Sequence, residues 1–298
     1  MIGSLPLDAP ELEGVLSPAL AAIEARLLEV VSNADEMINP PTSHLAEAGG
    51  KRLRPILTLL TAQLGDPALA VCEQVRDAGV AVELTHIATL YHDDVMDDAP
   101  LRRGAPSAQT VWGNSAAILT GDVLVARASQ LVAALGPEAV LAHAKTFERL
   151  CMGQLHETLP RPAGTDPVAH YIQVLADKTG SLIAVSARYG AMLTGAGDAA
   201  EAIVEEFGEK IGVAFQLADD VIDLTSDSAT TGKTPGTDLR EGVDTMPVLL
   251  LRRALAAGEL DAVGQSILST LSTADLSSDE VLAGVVAQLR EHPVLERT

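Results

Sequence analysis

The sequence predicts an all-α protein, and three observations support this prediction. Aromatic residues make up only 2% of the chain although hydrophobic residues make up 47%, and a core of Ala, Leu, Val and Ile without rings favours close-packed helices over sheets. Apolar residues recur at spacings of three and four, and strand-type alternation is not sustained anywhere. Capping residues followed by proline mark several helix starts. Because no linker divides the chain, we expect residues 1–298 to form a single helical domain.

The helices follow one another along most of the chain. The start signals are Ser17-Pro18, Asp66-Pro67, Gly136-Pro137 and Asp166-Pro167. Gly180 interrupts one apolar stretch and permits a bend there. The predicted helices, with weaker ones following to the C-terminus, are 18–38, 53–64, 67–97, 115–135, 137–159, 167–194, 198–224 and 245–257.

Charge and cysteine content exclude several classes of function. A net charge of −21 argues against nucleic-acid binding, which needs a basic face, and against docking on anionic lipid. Cys72 and Cys151 are too few for a disulfide framework, and we expect buried thiols in a reducing compartment. The N-terminus lacks the pattern of a signal peptide, and no apolar stretch is long enough to span a membrane. We therefore expect a cytoplasmic protein without a transmembrane segment.

Two D-D-x-x-D motifs carry the strongest indication of function. They are the first aspartate motif, Asp93–Asp97, and the second aspartate motif, Asp219–Asp223. On a helix the first and last aspartates of each motif share a face one turn apart. If the two helices face each other, four carboxylates point into one space and repel unless cations lie between them. Mg²⁺ suits such oxygen ligands and leaves room for phosphate oxygens. The pattern indicates a diphosphate held through metal ions, with a pair of solvated acidic turns as the alternative.

Basic residues near the first aspartate motif are candidates for binding an anion. Lys51 and Arg54 follow a Gly-Gly turn that opens a helix, where backbone N–H groups favour an anion. The two residues would lie on one side of that helix, although an ordinary basic helix start has the same pattern. Arg102 and Arg103 follow the motif and offer planar guanidinium groups for phosphate, or else salt bridges to Asp97 or Asp98.

Other polar residues interrupt apolar helices. His86 projects to nearly the same face as Asp93, either for a ligand or for a structural role, and His92 lies next to the aspartates. Lys178, followed by Thr179, lies in an apolar helix where a buried lysine needs an anion. The stretch 226–244, which contains Lys233, is either a substrate-covering loop or a plain surface loop.

Taken in order, these motifs resemble those of the trans-isoprenyl diphosphate synthases, the polyprenyl synthetase family. The resemblance runs from about Gly49 to Pro247 and rests on G-G-K-R-L-R-P, H-x-x-x-x-x-H-D-D-x-x-D-x-x-x-x-R-R-G, K-T, F-Q-x-x-D-D-x-x-D, G-K and D-L-R-E-G. It implies a helical bundle around a central cavity, the isoprenoid synthase type I fold, usually as a homodimer. It also implies Mg²⁺-dependent addition of isopentenyl diphosphate to an allylic diphosphate. Val243 stands where many members have Lys, and the chain ends soon after Pro293, where relatives usually continue through further helices.

The resemblance assigns roles to matching residues. Asp93, Asp97 and Asp219 would hold Mg²⁺ against the allylic diphosphate, supported by Asp94 and Asp223. The allylic substrate would also be bound by Arg102, Lys178, Gln216 and Lys233, and isopentenyl diphosphate by Lys51, Arg54, His86 and Arg103. The catalytic group that steadies a carbocation would be Thr179 and Gln216, with Lys178 beside them.

The residues before the first aspartate motif bear on product length. In the resembled family, bulk at this position limits the growing tail. Thr85, Ala88 and Thr89 are small, so the resemblance implies an open apolar tunnel and a product longer than geranylgeranyl. A farnesyl or geranylgeranyl synthase is the alternative.

Two rival functions share part of the pattern. A class I terpene cyclase shares the first aspartate motif but normally has a different second motif and does not need Lys51 and Arg54. The non-catalytic subunit of a heteromeric synthase usually loses both motifs, which are intact here.

Overall fold

The computed structural model describes residues 9–32, 35–225 and 235–298. Contacts divide these residues into two compact units. The first unit comprises the described residues up to Leu150 together with Ser181–Glu209, and the second comprises Cys151–Gly180 and the described residues from Lys210 onward.

The secondary structure within the described residues is almost entirely helical, which confirms the predicted fold class. The α-helices are α1 (Pro10–Val31), α2 (Asn39–Glu47), α3 (Leu53–Ala62), α4 (Glu73–Met96), α5 (Ala108–Trp112), α6 (Asn114–Ala133), α7 (Pro137–Thr158), α8 (Pro167–Leu175), α9 (Ser181–Leu193), α10 (Asp198–Thr225), α11 (Thr237–Arg240), α12 (Met246–Ala257), α13 (Ala262–Thr273) and α14 (Asp279–Glu291). The remaining elements are the paired strands β1 (Leu101–Arg102) and β2 (Ala105–Pro106), a π-helical segment (Ala176–Gly180) and a 3₁₀ turn (Leu295–Arg297).

Two of the four predicted helix starts are confirmed. α7 begins at Pro137, and α8 begins at Pro167 with the Asp166 carboxylate accepting a hydrogen bond from the N–H of Val168. The predicted bend at Gly180 corresponds to the π-helical segment, which ends at that residue.

The other two predicted starts are wrong. α1 begins at Pro10, with acidic residues in its first turn, so Pro18 lies inside the helix and α1 ends at Val31 rather than 38. Burial of an apolar face on both sides of Pro18 offsets the hydrogen bond that proline cannot make. The Asp66 carboxylate accepts from the N–H of Ala68 and caps a turn, so α4 begins only at Glu73. Helix α2 was not predicted.

Helix α4 runs through the core of the first unit, because it is buried on most of its faces from Ala78 to Ala88. Small residues let neighbouring helices approach closely. Gly121 of α6 leaves no room for a Cβ beside the His92 ring of α4, and Gly190 of α9 leaves none beside the Thr58 carbonyl of α3. This packing fixes the direction of the α4 end that carries the first aspartate motif.

The second unit has its own apolar core, in which α12, α13 and α14 supply most of the buried side chains. Asp261 caps α13 by accepting a hydrogen bond from the N–H of Gly264 at 2.7 Å. Gly153 of α7 leaves no room for a Cβ against the backbone of Lys178 in the π-helical segment. The end of α10, which carries the second aspartate motif, packs on this core through Leu224.

The structure bears on two expectations, that both cysteines are buried and that no apolar stretch is long enough to span a membrane. The cysteines are not both buried as expected, since Cys151 is exposed and Cys72 is half-buried. Among the described residues, one helix, α6, has the length and apolar character to cross a membrane, with a mean hydropathy of 1.3. It carries Asp122 and Arg127 and packs closely against α4, as a helix of a folded core does.

Candidate functional site

The first aspartate motif lies at the C-terminal end of α4. Asp97 caps the helix and is exposed, Asp93 is half-buried, and Asp94 is fully buried. One oxygen of Asp94 accepts a hydrogen bond from Nε of Arg102 at 2.6 Å and lies within ion-pair distance of Nη2, also at 2.6 Å. Its other oxygen is buried and has no hydrogen-bond partner among the described residues. Burial raises the pKa of Asp94, and the hydrogen bonds from Arg102 oppose that change.

A tight hairpin brings Arg102 to Asp94. Strands β1 and β2 pair Arg102 with Ala105, and the two turn residues, Arg103 and Gly104, both have positive φ (53° and 79°). Two residues with positive φ are typical of the type I′ turn that suits a two-residue hairpin. Arg102 is therefore tied to the aspartate motif through Asp94. The alternative interpretation of the sequence expected a salt bridge to Asp97 or Asp98 instead, so the partner is corrected.

Arg103 points to a different place. Its guanidinium donates to the carbonyls of Leu45 and Gly49, and Nη2 lies 3.3 Å from Oε1 of Glu83. The turn before α3 is thus bound to the hairpin that follows α4.

That turn contains three residues with positive φ, namely Gly49 (81°), Gly50 (155°) and Arg52 (51°). Arg52 is the N-cap of α3, so Lys51 precedes the helix and is exposed. The predicted helical spacing of Lys51 and Arg54 therefore does not apply. Arg54 lies in the first turn of α3, where its Nε is buried without a partner among the described residues. Burial lowers the pKa of Arg54 to about 10, with Glu83 opposing and Arg103 adding to the change.

Glu83 is a site residue that the sequence analysis missed. It is 2% exposed, and Oε1 accepts a hydrogen bond from Nη1 of Arg52 at 2.8 Å. Arg52 also binds Glu24 of α1 and the carbonyl of Ala46. A signal was present in the sequence, because a carboxylate inside an apolar helix segment needs a cation.

His86 lies one turn after Glu83 on α4. Its pKa is well below 6.5, chiefly because the ring is buried and then because of the positive charges of Arg54, Arg103, Arg102 and Arg52. The imidazole is therefore neutral at physiological pH. The first unit thus gathers every predicted binder of isopentenyl diphosphate except the exposed Lys51 into one half-buried cationic cluster.

His92 has a separate role in packing. Its Nε2 lies 3.1 Å from the carbonyl of Ile118 and 3.3 Å from a carboxylate oxygen of Asp122, both on α6. The residue before the first aspartate motif is therefore fixed against the neighbouring helix.

The predicted chain-length residues lie on the α4 face one to two turns before the first aspartate motif. Thr85 and Ala88 are buried and Thr89 is half-buried. The hydroxyls of Thr85 and Thr89 donate to the carbonyls of Ala81 and His86 in the same helix, both at 2.8 Å. Because the hydroxyls are satisfied within the helix, these three side chains present only methyl groups to their neighbours.

The second aspartate motif lies in the last turns of α10. Asp219 is exposed, Asp223 is half-buried and Asp220 is 6% exposed. The Tyr171 hydroxyl donates to Asp220, lying 3.0 and 2.9 Å from its two oxygens, and the N–H of Met246 donates to one of them at 3.2 Å. Burial raises the pKa of Asp220 to about 6 against these hydrogen bonds. In both motifs the middle aspartate is buried and bound by the protein, while the outer two are more accessible.

Asp223 also orders the chain that follows. Its carboxylate accepts from the N–H of Thr237 at 3.3 Å, and its carbonyl accepts from the N–H of Gly236 at 3.0 Å. These contacts hold the start of α11 at the motif. The predicted substrate-binding residue Lys233 lies outside the described residues, as does the first half of the proposed loop 226–244.

The predicted catalytic group belongs to the second unit. Lys178 and Thr179 are half-buried in the π-helical segment, and Gln216 is half-buried one turn before Asp219. The ammonium of Lys178 is not isolated, because it pairs with Glu157 of α7. A π-helical segment inside a helix frequently marks a functional position.

The donor set at both motifs fits a hard divalent cation. The outer aspartates supply carboxylate oxygens at helix ends, and the unsatisfied oxygen of Asp94 adds negative charge beside them. Within the described part of the chain, no three His, Cys, Asp or Glu side chains form a group that holds a metal by themselves. An ion at either motif would therefore complete its coordination with water or with ligand oxygens, as Mg²⁺ usually does.

Comparison with known proteins is consistent across sequence and structure. Residues 35–276 match a family profile described as polyprenyl synthetase. The chain is 47% identical over 245 residues to the nonaprenyl diphosphate synthase of Mycobacterium tuberculosis (strain ATCC 25618 / H37Rv), covering 81% of this chain and 72% of that one. It is 39% identical over 235 residues to heptaprenyl diphosphate synthase component 2 of Geobacillus stearothermophilus, covering 78% and 72%.

Among solved structures, the chain is similar to a geranylgeranyl pyrophosphate synthase from Corynebacterium glutamicum that was crystallised with calcium and isoprenyl diphosphate. The TM-score is 0.85 at 40% identity, and the match covers 98% of this chain and 87% of that one. The names of these relatives span products from geranylgeranyl to nonaprenyl diphosphate.

Proposed function

The chain belongs to the polyprenyl synthetase family of prenyltransferases, and we propose that it condenses isopentenyl diphosphate with an allylic diphosphate to give an all-trans polyprenyl diphosphate longer than geranylgeranyl. The observation that carries this proposal is that α4 ends in an acidic motif, while His86, earlier on the same helix, is surrounded by the positive charges of four arginines from the start of α3 and from the hairpin after α4. Such a helix offers one place for a metal-held diphosphate and another for a diphosphate held by cationic side chains.

The two aspartate motifs are proposed to serve the allylic diphosphate. Asp93, Asp97, Asp219 and Asp223 would hold Mg²⁺, which when bound would neutralise charge on the leaving diphosphate. Asp94 is better suited to hold Arg102 in place than to act as an additional ligand, since the residue is fully buried and one of its oxygens is already bound by that guanidinium. Arg102, Lys178, Gln216 and Lys233 are proposed to complete this site.

Isopentenyl diphosphate is proposed to bind at the cationic cluster of the first unit. Arg54 has an unsatisfied buried Nε, and His86 is neutral, so it is free to donate one ring N–H to a phosphate oxygen. Lys51 is exposed in the turn that precedes α3. Arg103 is already bound to backbone carbonyls and Glu83, so it would need to exchange these contacts to reach the substrate.

The reaction then follows as ionisation, condensation and elimination. The allylic C–O bond breaks, the double bond of isopentenyl diphosphate attacks the cation, and a proton is lost, with the released diphosphate able to accept it. Thr179 and Gln216 are proposed to stabilise the carbocation through their side-chain oxygens, and Lys178 precedes Thr179 in the chain. No protein nucleophile is needed, so the contribution of the chain is positioning and electrostatic stabilisation.

A long product is supported by the small residues at the predicted chain-length positions and by the nonaprenyl and heptaprenyl relatives. A short-chain synthase is the second candidate, because the similar solved structure is that of a geranylgeranyl pyrophosphate synthase. We further propose a cytoplasmic location.

We also propose that the protein is a homodimer. Helix α6 exposes Ile118, Leu119 and Val123 on one face, with Leu119 63% exposed. Contiguous exposed apolar residues of this kind are typical of a subunit contact. The proposed occupant of this face is a second copy of the chain.

One incubation tests the enzymatic proposal. The purified chain is supplied with labelled isopentenyl diphosphate and with geranyl, farnesyl or geranylgeranyl diphosphate, in Mg²⁺ or in EDTA. We expect metal-dependent consumption of isopentenyl diphosphate and products longer than geranylgeranyl. Diphosphate release without consumption of isopentenyl diphosphate would indicate a cyclase. No turnover by the chain alone would favour a partner subunit, and exclusive formation of farnesyl or geranylgeranyl product would refute the length proposal.

A further inference from the structure

Two of the non-glycine residues in the described chain that adopt a left-handed backbone conformation share one side-chain partner. Arg52 (φ 51°) and Arg103 (φ 53°) both place a guanidinium against Oε1 of Glu83, at 2.8 and 3.3 Å. A left-handed conformation costs energy for an L-residue with a side chain and persists only where surrounding contacts over-determine it. The shared carboxylate is such a contact.

The two guanidiniums also enclose the turn that precedes α3. Arg52 donates to the carbonyls of Ala46 and Gly49, and Arg103 donates to those of Leu45 and Gly49. A Cβ on Gly50 would lie 3.1 Å from atoms of both guanidiniums, so a glycine is needed there for both to lie against the turn. The two guanidinium groups therefore bind the backbone of the turn, and Glu83 binds both guanidinium groups.

Glu83 is almost completely buried, as is the Arg52 side chain, with exposures of 2% and 4%. Glu83 is also the one carboxylate within ion-pair distance of Arg103 among the described residues. Charge-assisted hydrogen bonds in a buried setting fix geometry more strongly than exposed ones do.

We propose that Glu83 is a positioning residue for isopentenyl diphosphate. By holding Arg52 and Arg103 around the Gly-Gly turn, it fixes the segment that carries Lys51 and leads into Arg54 of α3. His86 lies one turn after Glu83 on α4. This inference rests on the proposed function, because it assigns the ligand of that cluster. Glu83 does not touch substrate in this arrangement and acts through the two arginines.

The sign of one kinetic effect separates positioning from simple electrostatics. Glu83→Gln removes a negative charge beside a cationic cluster, so electrostatics alone predicts tighter binding of a diphosphate. Positioning predicts weaker binding, because the amide oxygen of Gln replaces the charge-assisted hydrogen bonds to Arg52 and Arg103 with weaker neutral ones. We expect the KM for isopentenyl diphosphate to rise at least about tenfold, with the allylic KM and the Mg²⁺ half-saturation within about twofold of wild type.

Asp77 provides a matched control on the same helix. It is 9% exposed, lies six residues before Glu83, and pairs with Arg26 and Arg76, neither of which belongs to the cationic cluster. Asp77→Asn is expected to lower the melting temperature without changing the KM for isopentenyl diphosphate. Equal kinetic effects of the two substitutions would show a merely structural role for Glu83 and overturn the proposal.

Two further measurements keep the test decisive. If Glu83→Gln fails to fold, Arg52→Lys keeps the charge but loses the fork, and it is expected to raise the same KM. Calorimetric titration of the metal-free protein with inorganic pyrophosphate reports the cluster without turnover, and Glu83→Gln should weaken this binding. A wild-type chain that binds pyrophosphate but does not consume isopentenyl diphosphate would refute the proposed function alone. An unchanged or lowered KM, or unchanged pyrophosphate binding, in Glu83→Gln would refute the positioning role.

Discussion

Replacing Tyr171 by Phe removes one hydroxyl from the anchor of the second aspartate motif. That hydroxyl contacts both oxygens of Asp220, at 3.0 and 2.9 Å, and the carboxylate is 6% exposed. Hydrogen bonds to a charged group contribute about 1.5–3 kcal/mol. After the change Asp220 keeps the N–H of Met246 as a donor, at 3.2 Å. We therefore expect Tyr171→Phe to lower the free energy of unfolding by about 2 kcal/mol at pH 8.

The pH dependence of this loss follows from the pKa of Asp220. Burial raises that pKa from 3.8 to about 6, so the folded state binds a proton more readily than the unfolded state does. The cost of burying the ionised group is thus present above pH 6 and disappears as the pH falls through the folded and then the unfolded pKa. The Tyr171 hydroxyl favours the ionised form. Its removal should therefore cost less at pH 4.5, about 1 kcal/mol or below, where Asp220 is protonated.

Urea unfolding in EDTA at pH 8 and pH 4.5 measures both values without metal at the motif. Tyr189→Phe is the matched control, because the Tyr189 hydroxyl is fully buried but donates to a neutral acceptor, the carbonyl of Ala139 at 3.0 Å. Its loss should be the same at both pH values. A Tyr171→Phe effect below about 0.5 kcal/mol at pH 8, or one that does not change with pH, would refute the anchoring argument.

Three further outcomes are expected. Ala88→Phe should shorten the product, because the ring occupies space at a position five residues before Asp93 on α4. Chromatography of the dephosphorylated products measures the chain length. An unchanged length would place the end of the tunnel elsewhere. His143→Leu should become stabilising relative to wild type as the pH falls from 7.5 to 5. Both ring nitrogens of His143 are buried without a partner among the described residues, and burial lowers its folded pKa below 6.5, so the unfolded state gains a proton first and wild type loses stability. Urea midpoints that shift in parallel for both proteins would contradict this. Leu119→Arg should convert the proposed dimer to a monomer, and light scattering measures the mass. Leu64→Arg, at a residue that is also exposed, is the control and should not change the mass. An unchanged mass for Leu119→Arg would exclude this face of α6 from the subunit contact.

Local patterns predicted most of the helices, and their failures have local causes. Asp166-Pro167 predicted a helix start correctly because the aspartate caps a backbone N–H two residues on. Asp66-Pro67 has the same letters but caps a turn, and the helix begins later at Glu73. The residues that follow the shared pair differ between the two cases, so the two letters alone do not decide where the helix begins.

The candidate site divides in a similar way. The outer aspartates of the motifs, His86 and Arg54 were all predicted as site residues from spacing and resemblance, and their roles stay predictions. Glu83 was missed because its partners, Arg52 and Arg103, are 31 and 20 residues away in the chain. Arg102 was predicted in two alternative roles, and only the hairpin geometry places it on Asp94.

The sequence alone determined the helical class, the family and the chemical type of the site, because helix periodicity and motif spacing are properties of neighbouring residues. It did not distinguish the three aspartates within each motif. The tertiary structure made that distinction, by burying Asp94 and Asp220 against donors from other segments while leaving Asp97 and Asp219 exposed. The reason is that the cost of burying a carboxylate is met only by specific donors, and those donors are brought near by the folding of distant parts of the chain.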